Sequence, residues 1–407
     1  MIMTSFLYHA FGIVGYYYLR TLYEEGKVFF GIGQEKHRLR CSACSSRNVK
    51  LRGKTKRRFQ SLPIGGKQTF IDFEIPRVEC RDCGLVRQVK VRFADPRRTY
   101  TRPFERYVLD LSRHMTISDV ADHLGISWDI VKDIQKRHLT KRYKRPRLKH
   151  LRRIAIDEIC IGKGHKYLTV VLNLSSGAVV YVGDGKGGDA LQVFWKRLKR
   201  SRARVEAVAV DMSPAFTAAI IENLPSAAIV YDRFHIMKMY NEKIDDLRRG
   251  LQREAEDNLQ KSVLKGTRWL LLKNPENLDP DPKKREKERL EDALKLNEPL
   301  ATAYYLREEL REFWNQSSRA EAEEVLDNWI QSAASTGIKV LIDMARSLQA
   351  HRFGLLNWYD FPISTGPLEG TNNKIKTLQR AAYGFRDKEF FKLKIMALHE
   401  TKYALVG

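Results

Sequence analysis

Acidic residues are scarce at one end of this 407-residue chain. Asp and Glu number 49 against 73 Lys and Arg, and only 14 of those acids fall in residues 1–150, beside 32 basic residues. The first third therefore carries +18 of the formal +24, while residues 151–407, with 41 basic and 35 acidic residues, are close to balance. A uniformly basic coat is excluded, and a polyanion-binding module joined to a near-neutral one is expected. Cysteine is also sparse. Four of the five cysteines form two tight pairs, which excludes a disulfide-built secreted scaffold and suits a reducing compartment. Long apolar runs are missing except Met1–Leu19, which has no Asp, Glu, Lys or Arg. That stretch includes His9 and four tyrosines and lacks a basic leader and a cleavage site, so residues 1–36 are read as an aromatic arm that packs on the protein or a partner subunit. A cytoplasmic protein without membrane contact is expected. A hydrophobic content of 43%, with 10% aromatic residues, excludes a disordered polycation, and the length predicts several domains.

Cys41-Ser-Ala-Cys44 and Cys80-Arg-Asp-Cys83 are two knuckles, each able to put two thiolates on one side of a tight turn. Facing each other they offer Zn²⁺ a tetrahedral four-sulfur site, which predicts a zinc ribbon over 37–95. Strands are expected at Arg57–Leu62 and Thr69–Glu74 around the turn signal Ile64-Gly65-Gly66. Arg57 and Arg58 are candidate phosphate contacts. Farther on, Ser118 is read as the cap of a helix with Val120, Ala121 and Leu124, broken by Gly125, and Ser127 as the cap of a second with Ile130, Val131 and Ile134. This is a helix-turn-helix pattern over 96–140, with Trp128, Asp129, Lys132 and Asp133 facing bases or phosphates. The acid-free, Lys- and Arg-rich run that follows makes 141–153 a basic linker.

From residue 154 the pattern changes. Ile154–Ile161, Tyr167–Asn173 and Ala178–Val182 read as an antiparallel meander, followed by a helix, the strand Val205–Val210, a helix and the strand Ala227–Tyr231. That order predicts a ribonuclease H-like α/β core in 154–235. Asp157 lies within its first strand and Asp211 ends its fourth, where strand ends present ligand-binding groups. Glu158 points to the other face by alternation and is the poorer ligand. An Asp at a strand end is also a common helix cap, so Asp211 before Ser213 has that simpler alternative. In Gly366–Arg380, read as a helix, Glu369 sits in the first turn, and Asn372, Asn373 and Lys376 at +3, +4 and +7 share its face. A carboxylate backed by amides and a lysine fits a metal ligand beside a phosphate backbone. The stretch 236–350 is charged and helical in rhythm. Within it Trp269 is expected to pack in a core, Cys160 is expected to be a buried small hydrophobe, and Gly183–Gly188 to be a plain turn.

With the paired knuckles and the helix-turn-helix, three further motifs carry a resemblance: Ile156-Asp157-Glu158, Val210-Asp211-Met212-Ser213-Pro214 and Gly366-Pro-Leu-Glu369-Gly-Thr-Asn-Asn-Lys374. The chain resembles, over nearly its whole length, the ISL3 group of bacterial insertion-sequence transposases, which carry an Asp-Asp-Glu triad. The resemblance implies Asp157, Asp211 and Glu369 as that triad, a helical insertion domain in 236–350, and the remaining core helices in 351–407. Asp232 and His235 match the family's Asp-x-x-His signature in a supporting role, with a capped helix start as the simpler alternative.

The expected activity is that of a multidomain α/β DNA transposase. It would bind double-stranded terminal inverted repeats and target DNA, and cut and join strands with Mg²⁺ or Mn²⁺ held by the triad. Lys374 and Lys376 would hold phosphate, and a homodimer or higher assembly would act at the nucleoid. Two other classes remain open at this point: a zinc-containing DNA-binding regulator with an inactive core, and a ribonuclease H-like nuclease without strand transfer.

Overall fold

The structure, a computed structural model, describes residues 6–255, 258–281 and 284–399. The first five residues of the aromatic arm and residues 400–407 of the C-terminal segment lie outside the described residues. The chain divides into two compact units, residues 1–144 with 377–407, and residues 145–376.

In the first unit, strands β1 (Tyr17–Glu24), β2 (Lys27–Gly33), β3 (Val49–Ile64), β4 (Lys67–Cys80) and β5 (Val86–Gln88) form one sheet. The order is β1-β2-β4-β3, with β5 also on β4. The β3–β4 hairpin turns at Gly65 and Gly66, both at positive φ, as the turn signal predicts. Its strands of 16 and 14 residues greatly exceed the expected stretches. The aromatic arm is part of this sheet. β2 pairs parallel to β4, and Leu7, Phe11, Ile13, Phe30 and Ile32 share a core with Phe59, Ile71 and Phe73.

A helix that the sequence reading missed, Arg102–Leu111, precedes the helix-turn-helix, capped by Thr101. The first helix of the motif, Ile117–Leu124, is capped by Thr116 and not by Ser118. Thr116 and Asp119 exchange reciprocal hydrogen bonds with each other's backbone N–H, which Ser118, already inside the helix, cannot do. Gly125 ends it at φ 59°, and Ser127 caps the recognition helix Trp128–Tyr143, which takes in the start of the expected linker. Val120, Leu124, Val131 and Ile134 pack with Phe104 and Val108. Gln68 donates from the hairpin to the Leu124 carbonyl at 2.9 Å, and a Cβ on Gly125 would meet its Nε2 at 2.1 Å. Gly125→Ala should therefore cost about 1–2 kcal/mol through left-handed strain and the displaced hydrogen bond, read as a lower denaturation midpoint. The helix Lys388–Ala397 packs on the recognition helix, with Phe390 and Leu393 beside Leu139 and Tyr143.

In the second unit, β6 (Arg153–Gly162), β7 (Lys166–Asn173) and β8 (Val179–Asp184) form the expected meander. β9 (Ala207–Val210) and β10 (Ala228–Tyr231) add in parallel beside β6, giving the order β10-β9-β6-β7-β8. These are the three hairpin strands and two crossover strands expected of a ribonuclease H-like core. Ile154, Ile156, Val208 and Val210 pack with Phe194 and Phe216 from the helices Gln192–Ser201 and Pro214–Asn223. From β10 the chain enters the helix Arg233–Glu254 and a series of further helices. It returns along Arg352–Asp360, where Asn357 donates to the Ile229 carbonyl at 2.9 Å. Gly354 faces Tyr231 so closely that any Cβ would stand 2.3 Å from its ring.

Candidate active site and metal centre

The Sγ atoms of Cys41, Cys44, Cys80 and Cys83 all lie within 4.8 Å of one another. Cys41 and Cys83 are 3.7 Å apart, and Cys44 and Cys80 3.5 Å. Four thiolates at about 2.3 Å from one zinc stand about 3.8 Å apart, so the set fits Zn²⁺. The backbone N–H groups of Cys44 and Ala43 are directed at Cys41 and pull its thiol down to about 6, and that of Cys83 lowers Cys80. Ser46 and Asn48 of one knuckle both donate to Asp82 of the other, tying the two turns together.

The candidate DNA contacts have mixed surroundings. Trp128, at the start of the recognition helix, is exposed, and the Lys132 ammonium lies over its ring at 5.8 Å. Lys132 also pairs with Asp387 at 3.3 Å, and Lys136 does so at 2.7 Å. Hydrogen bonding to Lys136 drives the Asp387 carboxyl down to about 2. Asp133, expected to face DNA, is bound by Arg98 and Arg137 instead. Arg58 is held by Asp72 and lies over the Phe29 ring at 4.1 Å, while Arg57 donates to the Arg98 carbonyl. Asp387→Asn should free Lys132 and Lys136, so duplex DNA should bind several-fold more tightly at low salt and with a steeper salt slope, measured by fluorescence anisotropy.

Strand register positions the first two carboxylates. Ala155 pairs with Ala209 across the parallel β6–β9 ladder. Asp157 and Asp211, each two residues farther on, come level on the same face of neighbouring strands, which are spaced about 4.8 Å apart. Asp157 Oδ1 accepts from the Glu158 N–H at 2.7 Å, and Oδ2 accepts from Asn372 Nδ2 at 2.8 Å. Burial pushes the Asp157 carboxyl up to about 6, with the Asp211 charge adding to the rise and His235 opposing it. Asp211 Oδ1 accepts from the Ser213 N–H at 3.2 Å and so shapes the turn into the next helix, but the N-cap of that helix is Ser213 and not Asp211 as the simpler alternative had it.

Asn372 carries the third contribution. It is buried, with its Oδ1 lacking any hydrogen-bond partner, and it ties the helix Gly366–Ala381 to Asp157. Glu369, one turn earlier on the same helical face, is exposed, as are Asn373, Lys374 and Lys376. Among the described residues, the cysteine set is the one group of three or more ligands whose atoms all lie within 4.8 Å; Asp157, Asp211 and Glu369 do not form another. Carboxylates that serve two different ions need not converge on one point. A half-buried carboxyl with a raised pKa, a second carboxylate level with it and an unpartnered amide oxygen form an oxygen-rich group short of positive charge. A hydrated divalent cation supplies that charge, and the all-oxygen donor set suits Mg²⁺ or Mn²⁺.

Glu158 turns away and accepts from the Gly187 N–H at 2.9 Å, which pins the glycine-rich turn. Asp232 acts as a junction. Its Oδ2 accepts from the His235 backbone N–H at 3.4 Å and lies 3.2 Å from its Nδ1, and its Oδ1 accepts from the Thr365 N–H at 3.0 Å. It thus joins the end of β10 to the entry of the helix bearing Glu369, a link that the sequence could not reveal across 133 positions. The hydrogen bond to Asp232 raises the His235 pKa, with the charges of Asp157 and Asp211 adding to it. Asp232→Asn should lower the His235 pKa by weakening that bond, followed by imidazole proton shifts in NMR. Two side chains contradict the sequence reading. Trp269 is 67% exposed, because its five-residue helix buries Leu270 and Leu271 instead, and Arg268 lies over its ring at 4.8 Å. Cys160 is exposed, since β9 covers β6 only from Arg153 to Ala155.

Comparison with known proteins agrees with this arrangement module by module. Residues 154–395 match a family described as a transposase, residues 89–139 the helix-turn-helix domain of transposase family ISL3, and residues 37–83 the zinc-finger of transposase IS204/IS1001/IS1096/IS1165. The transposase for insertion sequence element IS1001 of Bordetella parapertussis is 32% identical over 360 residues, 88% of each chain. That for IS1557 of Mycobacterium tuberculosis is 30% identical over 375 residues, covering 86% of this chain and 83% of the relative. A Drosophila P element transposase strand transfer complex aligns at TM-score 0.33 and 12% identity, over 62% of this chain and 78% of that one. Identity at this level across most of two bacterial relatives, with all three modules in order, settles the assignment: the chain belongs to the ISL3 family of transposases.

Proposed function

We propose that this transposase binds its element's terminal inverted repeats as duplex DNA through residues 37–95 and 96–140, and cleaves and joins strands at Asp157, Asp211 and Glu369. Residues 154–235 and the helix bearing Glu369 form the catalytic core in this account, and residues 236–350 its helical insertion. The observation that supports it best is the Asn372–Asp157 hydrogen bond, which brings the face carrying Glu369 to the strand carrying Asp157 from 215 positions away.

Mg²⁺, or Mn²⁺, held by these three carboxylates would activate water or a freed 3′-hydroxyl and stabilise the leaving 3′-oxygen. The chain's own residues have separable tasks. Asp157 must lose its proton before it can serve as a ligand, so cation binding should strengthen as pH rises through about 6. Asn372 fixes the orientation of that carboxylate. Asp232 and Thr365 set where the helix with Glu369 begins, and Asp232 holds His235 beside the paired carboxylates, whose charges raise its pKa. Lys374 and Lys376, exposed farther along the helix, hold the phosphate backbone of the cut strand or target. Joining two element ends in one event calls for at least two copies of the chain.

The test is a labelled end duplex with Mg²⁺. Asp157→Asn, Asp211→Asn and Glu369→Gln should each lower cleavage by at least about a thousandfold and leave duplex binding unchanged. Wild-type cleavage in all three would overturn the assignment. Nicking without joined product would make the protein a nuclease, and binding by wild type without any cutting would make it a regulator.

A further inference from the structure

Residues 151–407, with 41 basic and 35 acidic residues, carry a formal excess of +6, and the nine residues from Lys196 to Arg204, six of them Lys or Arg and none acidic, match it alone. The second unit also begins on an acid-free run, residues 145–153, with five Lys and Arg and His150. The two runs are far apart in the chain, and the fold clamps them together. Arg197, in the helix Gln192–Ser201, donates to the Pro146 carbonyl at 3.1 Å. The Glu206 N–H donates to the Arg152 carbonyl at 2.7 Å, where β6 and β9 begin side by side.

Between the runs lies a cavity of about 270 Å³ lined by Lys149, His150, Arg152, Arg202 and Arg204, with no acidic or apolar side chain in its wall. All five are exposed, and among the described residues only Arg152 of the five pairs with a carboxylate, that of Glu206 at 2.8 Å. Like charges gathered this closely repel one another, so the arrangement costs stability unless an anion occupies it. Arg202 holds its charge at a conformational cost as well. It stands at φ 56° directly after the helix, in the left-handed region where this position normally calls for glycine. Glycine there would relieve backbone strain and one repulsion together, yet the position holds an arginine. The helix dipole accounts for Lys199 and Arg200 in the last turn, but not for Arg204 or Lys149 outside the helix.

The cavity is separate from the candidate catalytic carboxylates. β6 and β9 are parallel, Arg152 and Arg204 precede them, Asp157 lies five residues beyond Arg152 and Asp211 lies past the end of β9. Five residues of strand at about 3.3 Å each put Arg152 about 16 Å from Asp157. Neither basic run exposes a large apolar side chain, which an embedded lipid contact or a tightly held protein segment would need. Cations alone fit the regularly spaced phosphates of duplex DNA, the polyanion that the helix-turn-helix domain already implies.

We propose that this cavity holds backbone phosphate of duplex DNA, giving the second unit a contact of its own, remote from the cut. That contact deepens the DNA-binding part of the proposed function and rests on it. Because it reaches phosphate and not bases, it is indifferent to DNA sequence.

The test is fluorescence anisotropy of a labelled end duplex and of a labelled random-sequence duplex, each titrated with the zinc-loaded full chain over a salt series without Mg²⁺. Arg202→Gly combined with Arg204→Ser should weaken binding of both duplexes by the same factor, about tenfold at low salt, and reduce the slope of log affinity against log salt by about two. Its thermal midpoint should equal or exceed that of wild type, because glycine fits the left-handed backbone. Lys149→Ser, which leaves that backbone alone, should reduce the slope by about one. Lys287→Ser combined with Lys295→Ser, an equal loss of exposed charge on the helix Glu286–Lys295, should leave affinity and slope unchanged. Cavity variants that bind both duplexes as wild type does would overturn the proposal alone, whereas a wild type that binds neither duplex would overturn it together with the DNA-binding reading. Retained duplex binding with lost sedimentation on phosphatidylglycerol vesicles would give the cavity to a lipid surface and overturn it too.

Discussion

Asp157→Asn is expected to abolish strand cleavage and at the same time to stabilise the cation-free protein. Burial holds the Asp157 carboxyl at about 6 in the folded chain, against an ordinary value of 3.8. The folded state therefore binds this proton more tightly than the unfolded state does. Below about pH 4 both states are protonated and the group contributes nothing; as pH rises to about 6 the unfolded chain alone ionises, and the native state loses stability. Above about 6 the deficit is complete, and two pKa units correspond to about 3 kcal/mol. Asn removes the charge, and the site can accept it: rotation of the Asn372 amide would turn its unpartnered Oδ1 toward the new side-chain NH₂. Thermal melts in chelator should show Asp157→Asn several degrees above wild type at pH 8 and level with it near pH 4. Added Mg²⁺ should raise the wild-type midpoint and leave the variant unmoved. A variant less stable than wild type at pH 8 would contradict this account of the site.

Loss of zinc is expected to have the second large effect. The four thiolates close the end of the sheet where β3, β4 and β5 meet, and Cys80 is fully buried there. Zinc sites of this kind contribute on the order of 10 kcal/mol to folding in isolated zinc-finger peptides. Cys80→Ser, or zinc removal by a strong chelator, should unravel that end, release the metal to a colorimetric indicator and weaken duplex binding at least tenfold. The second unit has a hydrophobic core of its own, built on Ile156, Val208 and Phe216, and its melting should persist. Loss of both units' melting together would show that the zinc site supports more than the first unit.

Local signals in the sequence led reliably to local structure. The Cys-x-x-Cys pairs, the Gly65-Gly66 turn, the Gly125 break and the apolar runs of β6 to β10 each depend on residues near one another, and each is where the spacing places it. Long-range pairing was what stayed hidden. The arm's place in the sheet depends on β2 pairing with a strand about forty residues on, and the tasks of Asp232 and Asn372 depend on partners 133 and 215 positions away. Facing was hidden too. Apolar character alone did not say that Trp269 faces out while Leu270 and Leu271 face in. The shared face of Glu369, Asn372, Asn373 and Lys376 was legible from helical spacing, but not that Asn372 alone would be buried against Asp157.

Metal ligation by these carboxylates is tested most directly by a change of donor atom. Asp211→Cys replaces an oxygen donor with sulfur, which Mg²⁺ accepts poorly and Mn²⁺ tolerates better. Cleavage of a labelled end duplex by this variant should be lost in Mg²⁺ and partly restored in Mn²⁺, with duplex binding equal to wild type in both. Full cleavage in Mg²⁺ would contradict the account.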